Sequence, residues 1–339
     1  MNKKVSIFSI LAIVILSTSF STAVQAATDD TLTVYSTRKE HLIKPLFDAF
    51  TNKTGIEVRY LTGKGGALIE RIKLEGKRTK ADMFMTVDAG NLWYAASQNL
   101  FQPFQSEVIM SNIPAHLRDP EGLWTGLSVR ARTIIYSTDR VNPKELSTYQ
   151  DLASTKWKGR LCLRTSKKVY TKSLVSSLIY HDGIENTTEV LKGWVKNLAA
   201  TPHAEDNYVM SAILAGQCDV GIVNNYYFGR LQAKDPNVAL KLFWANQGST
   251  GTHVNISGAG VTRYSKNPVN SLKLLEFLSS IEAQKIYVEL NKEYPASQKI
   301  KADSLIALWG DFNQDKMNLS FAGKNQAESV VLMQREGYK

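Results

Sequence analysis

Short apolar runs alternate with segments of helical period along almost the whole chain. Leu32 to Tyr35 reads as a strand. His41 to Asn52 places Leu42, Pro45, Leu46, Ala49 and Phe50 on one helical face. Ile56 to Leu61 is a second strand, Gly63 to Gly66 a turn, and Ala67 to Glu75 a helix stopped by Gly76. The run ADMFMTVD predicts a third strand, and Gly90 to Gln98 a third helix. This βαβαβ order implies parallel strands joined by right-handed crossovers.

Pro103, Pro114 and Pro120 then punctuate a stretch that covers a core and does not build one. Leu127 to Ser137 is a long strand and a candidate crossover between two lobes. Residues 148–156, 173–181, 185–199 and 209–215 read as helices. The β-branched run Val220, Ile222, Val223 is a strand that meets a turn at Asn224 and Asn225, with a helix after it. Tyr226 and Tyr227 sit at that junction. A regular strand aims neighbouring side chains to opposite faces, whereas an irregular strand-to-helix turn lets both phenols converge. The glycine-rich segment 248–261 is a candidate return crossover, and helices follow near 268–280, 281–291 and 324–335. Two extended crossovers around a self-contained αβ block predict an α/β, bilobal hinge architecture with a cleft between its lobes.

The opening residues change the picture of where the chain works. Lys3 and Lys4 precede an apolar stretch, Val5 to Ile15, and Val24-Gln25-Ala26 supplies small residues at the −3 and −1 positions. This is a signal peptide with expected cleavage after Ala26, leaving residues 27–339 as an exported chain. Loss of the two lysines lowers the formal charge from +10 by two. Lysine and arginine are scattered, which argues against a nucleic-acid stripe. Cys162 and Cys218 are the only cysteines, both on strand-like segments, and export predicts that they form a disulfide.

Enzyme signatures are missing. There is no G-x-S-x-G elbow, no H-E-x-x-H and no phosphate-binding loop with its Lys-Ser/Thr pair. The Gly63-Lys64-Gly65-Gly66 turn lacks that spacing and reads as a turn leading into a helix. Tyr170, Tyr226 and Tyr227 remain as candidate chemistry. A phenolate is a hard anionic oxygen ligand suited to ferric iron, and it forms at neutral pH only beside a strong cation. Arg130 and Arg132, on the first crossover, offer a grip for an accompanying anion.

The chain resembles the periplasmic ferric-ion-binding proteins of ABC importers, the bacterial transferrin-like family, over nearly all of the mature sequence. The segments that carry the resemblance are VYSTRKEH (34–41), TKADMFMTVDAGNLW (79–93), GLSVRARTIIYS (126–137), RLCLRTSKKVYTKSLVSSLI (160–179), GQCDVGIVNNYYFGRL (216–231), GTHVNISGAGV (251–261) and NKEYPAS (291–297). The resemblance implies a type II periplasmic binding protein, two αβ lobes joined by a two-strand hinge. Its lobes would comprise residues 27–128 with 257–307, and 129–256 with 308–339. It also implies Tyr170, Tyr226 and Tyr227 as metal ligands, and Arg132 with Arg38 as the holders of a synergistic carbonate or bicarbonate. Fe³⁺ would be delivered by a monomer to a permease in the inner membrane. Where some members carry a histidine in the first loop this chain has Lys39 and Glu40, and where others carry a glutamate it has Val87 and Asp88. Glu40 is read as the start of a helix, and Asp206 as support for the anion. Two other readings stay open: a protein of the same fold for an anion or a small organic ligand (thiosulfate, polyamine, phosphonate or thiamine), and an exported hydrolase.

Overall fold

The computed structural model describes residues 31–297, 299–300 and 304–339. The expected signal peptide and its cleavage point lie outside these. The first half of the chain forms β1 (Thr31–Ser36), α1 (Glu40–Thr54), β2 (Glu57–Thr62), α2 (Gly65–Glu75), β3 (Met83–Thr86) and α3 (Ala89–Ser97). A short α4 (Glu107–Asn112) precedes the long β4 (Thr125–Ser137). The second half contributes β5 (Leu161–Cys162), α5 (Val169–Asn197), α6 (Asp206–Leu214), β6 (Val220–Asn224), α7 (Asn225–Gln232), β7 (Leu240–Phe243) and β8 (Val254–Val261). Then come α8 (Pro268–Ser279), α9 (Ile281–Asn291), β9 (Tyr294–Pro295), α10 (Ser304–Ala307), α11 (Leu319–Lys324) and α12 (Gln326–Arg335).

The strand order is β2-β1-β3-β8-β4-β6-β5, with β7 and β9 also on β4. β1 pairs in parallel with β2 and β3, as the βαβαβ pattern requires. β4 belongs to both halves of the sheet. Thr125 to Ala131 pair with β8, while Arg132 to Tyr136 pair with β6. Its residues are buried throughout. Side chains of a strand alternate, so Ile134 and Ile135 enter two different cores. One large core, with Phe47, Phe84, Trp124, Ile256 and Tyr287, lies on the β1–β3 side. The cores built around Trp157, Leu174 and Trp194, and around Val209, Ile213 and Phe228, lie on the β5–β6 side. The closing segment serves both sides: Leu319 is buried in the first core, and Leu332, Met333 and Tyr338 in the second.

Local chemistry explains where elements depart from the hydrophobic pattern. Residues 148–156 do not form a helix. They make two 3₁₀ turns, Gln150–Ala153 and Thr155–Trp157, broken by Ser154 in an extended conformation. Leu152 and Trp157 are nonetheless both buried, and a short repeat of turns satisfies that spacing. The helices expected at 173–181 and 185–199 are two arms of α5, broken at Gly183, whose φ of 79° is costly for any other residue. The return crossover is shorter than the glycine-rich segment, since β8 begins at Val254. Before it, Thr252 exchanges backbone hydrogen bonds with the closing segment, donating to Asn313 and accepting from Asp315. Cys162 and Cys218 form the expected disulfide, joining the end of β5 to the turn before β6.

Candidate metal and anion site

The site is built where helix N-termini meet the strands shared by the two lobes. α5 starts at Val169 and presents Tyr170 in its first turn. α7 leaves β6 directly, with Asn224 as its N-cap residue and Tyr226 and Tyr227 in its first turn. α6 begins at Asp206. The positive ends of three helix dipoles therefore point into one region, an environment that favours negative groups. Tyr226 is buried and Tyr227 half-buried, with ring centroids 4.4 Å apart and planes tilted by 32°. The convergence expected at an irregular strand-to-helix turn is present.

Two arginines hold the tyrosines together. Arg164 lies 5.2 Å from the ring of Tyr170 and 5.8 Å from that of Tyr227, and Arg130 lies 5.3 Å from Tyr170. Arg230 covers the ring of Tyr226 at 5.0 Å. Burial first, then Tyr170 and Tyr227, push the Tyr226 phenol well above its usual value, with Arg130 acting in the opposite direction. The phenol is thus neutral at physiological pH until a stronger cation arrives. Burial lowers Arg164 and Arg130, but Asp206 and then Tyr227 raise the first, and Tyr170 and then Glu293 the second, above the usual arginine value.

The arginines expected to hold an anion already contact carboxylates. Arg132 projects from the same strand face as Arg130 and meets Asp206 at 3.3 Å, with Asn224 Oδ1 and the Ile222 carbonyl also accepting from it. Asp206 is fully buried and its Oδ2 also meets Arg164 at 3.2 Å, so a single carboxylate bridges two guanidiniums. Arg38 is paired with Glu293 and donates to Ser128 and Ser257. Burial alone would raise the Glu293 carboxyl, but Arg38 and then Arg130 outweigh it and hold it below the usual carboxylate range. Arg130 acts on that carboxylate through its charge only, its own hydrogen bonds going to the Val87 and Ile256 carbonyls. Arg164 and Glu293 had no role in the sequence reading. The signal for Arg164 was its place in RLCLRT, on the chain that leaves β5 beside the central strand.

The remaining candidates have other tasks. Glu40 opens α1 and accepts from the Tyr60 hydroxyl at 2.8 Å. Asp88 caps α3, accepting from the Asn91 backbone, and Asn255 donates to its other oxygen at 2.9 Å. Tyr35 is buried and donates to Glu75. Tyr136 and Tyr294 are core residues of the second and first lobes. Ser173 contacts His253 Nε2 at 3.0 Å, but His253 Nδ1 has no partner to orient it as a base, and both residues are buried. Among the described residues, no group of three His, Cys, Asp or Glu is placed to hold a metal ion, and no helix is long and apolar enough to cross a membrane.

Two αβ lobes sharing a strand, with charged and phenolic groups gathered between them, define a bilobal binding protein of type II fold. The chain belongs to the bacterial extracellular solute-binding protein family, whose model matches residues 78–310. It is 40% identical over 316 residues to iron uptake protein A1 of Synechocystis sp., covering 91% of this chain and 87% of that one. It is 41% identical over 322 residues to iron uptake protein A2 of the same organism, covering 93% and 92%. Trichodesmium FutA (IdiA), solved with iron and citrate ligands, superposes with a TM-score of 0.88 at 43% identity, covering 91% of this chain and all of that one.

Proposed function

We propose that the protein captures ferric iron in the periplasm, using Tyr170, Tyr226 and Tyr227, and delivers it as a monomer to an ABC permease of the inner membrane. The observation that carries this reading is the gathering of three phenols from two helix N-termini, Tyr170 and Tyr227 at Arg164 and Tyr226 against Tyr227. Three phenolates match the charge of a trivalent ion, and a hard ligand set favours it over softer divalent competitors. The neutral Tyr226 phenol loses its proton only when such an ion displaces it. Relatives named for iron uptake and for ferric iron binding support the same cargo.

A synergistic carbonate or bicarbonate completes the coordination in this reading. Arg132 supports it through the Asp206 carboxylate shared with Arg164, and Arg38 pairs with the Glu293 carboxylate, on which the Arg130 charge also acts. Arg164, which lies at both Tyr170 and Tyr227, and Arg130, at Tyr170, are the pair that would touch the anion.

Adding ferric citrate to the iron-free mature protein tests the proposal. A visible phenolate-to-iron charge-transfer band is expected, weaker in bicarbonate-depleted buffer. A protein that stays colourless would move the reading to an anion or organic ligand held by the same tyrosines and arginines.

A further inference from the structure

The pole of the first lobe opposite the cleft carries a feature that iron capture does not use. α1, α2 and α3 start at the C-terminal ends of β1, β2 and β3, at Glu40, Gly65 and Ala89, on the cleft side. The end of α2 therefore lies at the far pole. β8 runs antiparallel to β3 and pairs Val261 with Met83, so the loop after β8 emerges at that same pole. The two segments meet across a groove of about 270 Å³, with Ile72, Lys73 and Gly76 on one side and Arg263 and Tyr264 on the other. Asp82, just before β3, pins the loop by accepting from the Ser265 hydroxyl at 2.8 Å and from the Lys266 and Asn267 backbones at 2.9 and 3.1 Å.

Lys77, Arg78, Lys80, Arg263 and Lys266 are all exposed at this pole, and none forms an ion pair among the described residues. The neighbouring glutamates are already engaged, Glu70 with Lys73 and Glu75 with Arg71, Tyr35 and Thr79. Near the end of α2 Leu74 stands 81% exposed, and on the loop after β8 Tyr264 is 37% exposed, with Arg263 5.9 Å from its ring. A lone exposed leucine is ordinary. The two segments together carry five exposed cations without an ion-pair partner among the described residues and two exposed apolar side chains.

We infer that this pole docks the protein on an anionic lipid surface, with the cations facing lipid phosphates and Leu74 and Tyr264 entering the headgroup zone. Charge complementarity selects the partner. The cations are spread over two segments that also carry exposed apolar side chains, which suits a fluid sheet of phosphates better than the fixed carboxylates of an acidic protein.

The experiment is co-sedimentation of the mature chain, iron-free and iron-loaded, with vesicles of phosphatidylcholine alone or mixed with phosphatidylglycerol. Binding is expected only to the mixed vesicles and is lost at high salt. The variant K77Q/R78Q/K80Q lowers the partition coefficient roughly 100-fold, since each cation near such a surface contributes about five-fold. Leu74→Ser lowers it several-fold, with an unchanged far-UV spectrum in both variants. Equal binding to neutral vesicles, binding to neither, or an unchanged partition in the triple variant would overturn the inference. So would displacement by inorganic phosphate at matched phosphate concentration, which marks a free-anion site. Retention on a polyglutamate resin without vesicle binding would likewise overturn it, in favour of an acidic protein partner.

Discussion

The Asp206 carboxylate meets Arg164 at 3.2 Å and is wholly shielded from water, so the arginine that touches Tyr170 and Tyr227 is itself held by a buried ion pair. Arg132 reaches the same carboxylate from the strand shared by the two lobes. Asp206→Asn leaves two buried guanidiniums facing a neutral amide. Removing one partner of a buried pair costs about 3–5 kcal/mol, so chemical denaturation should show a loss of that order. Ferric affinity should fall as well, because Arg164 loses its position against the phenols. Parental stability in the Asn variant would show that the bridge carries no load.

Tyr226→Phe and Tyr227→Phe should each abolish or greatly weaken the visible iron band, and Tyr170→Phe should do the same. Phenylalanine preserves the ring and its packing and removes only the oxygen, so packing and ligation are separated. Tyr136→Phe is the control, since that ring sits in the second lobe's core. Titration with ferric citrate reads all four. Three tyrosine variants that colour like the parent would rule out phenolate ligation.

Much of this arrangement was visible in the chain because it is local. The run from Val220 to Tyr227 carries strand, turn and helix start in one stretch, and the convergence of two adjacent phenols follows from it. α1 and β4 were legible from a strong period and a long β-branched run. The contacts that were not legible are long-range. Arg38 finds Glu293 across 255 positions, and Arg164 reaches Tyr227 only because β5 pairs with β6. Neither partner choice leaves a trace in spacing. The short α11 was missed because its six residues are too few to establish a period, yet it packs against both α3 and α5.

The Cys162–Cys218 bridge closes a loop with a sequence separation of 56. Constraining an unfolded loop of that length is worth about 4 kcal/mol in the chain-entropy account. Reduction, or the double change Cys162→Ala with Cys218→Ala, should lower stability by up to that amount, as read from the denaturation midpoint. The iron band should survive under native conditions, since the bridge supplies no ligand to the proposed site, although Tyr227 packs against the core that contains both cysteines. Thiol labelling of the denatured, unreduced protein should find no free cysteine.

Iron should leave in acid. Protons compete with the ion for the phenolate oxygens, and carbonate is protonated and lost over the same range. Because Tyr226 is pushed well above its ordinary value, proton competition for its oxygen is stronger than for a free tyrosine. The visible band should fade progressively as pH drops below neutrality. A band that persists unchanged would contradict ligation by tyrosine and carbonate together.

The iron-free protein should also lose stability in acid, through a different residue. His253 is fully buried between the lobes, against Ser173, and burial lowers its pKa from 6.5 to about 4, with Arg132 and His181 acting in the same direction and Asp315 against them. The folded state thus keeps the imidazole neutral where the unfolded chain protonates it. Its contribution is fully present above about pH 6.5 and is lost as pH falls toward 4, amounting to roughly 3 kcal/mol over that window. His116 and His203 are also lowered by burial and add to the same trend, so the diagnostic is the difference between parent and His253→Gln. Denaturation midpoints followed between pH 7 and pH 4 should fall less steeply in the variant. Equal slopes would remove His253 as the source of the acid sensitivity.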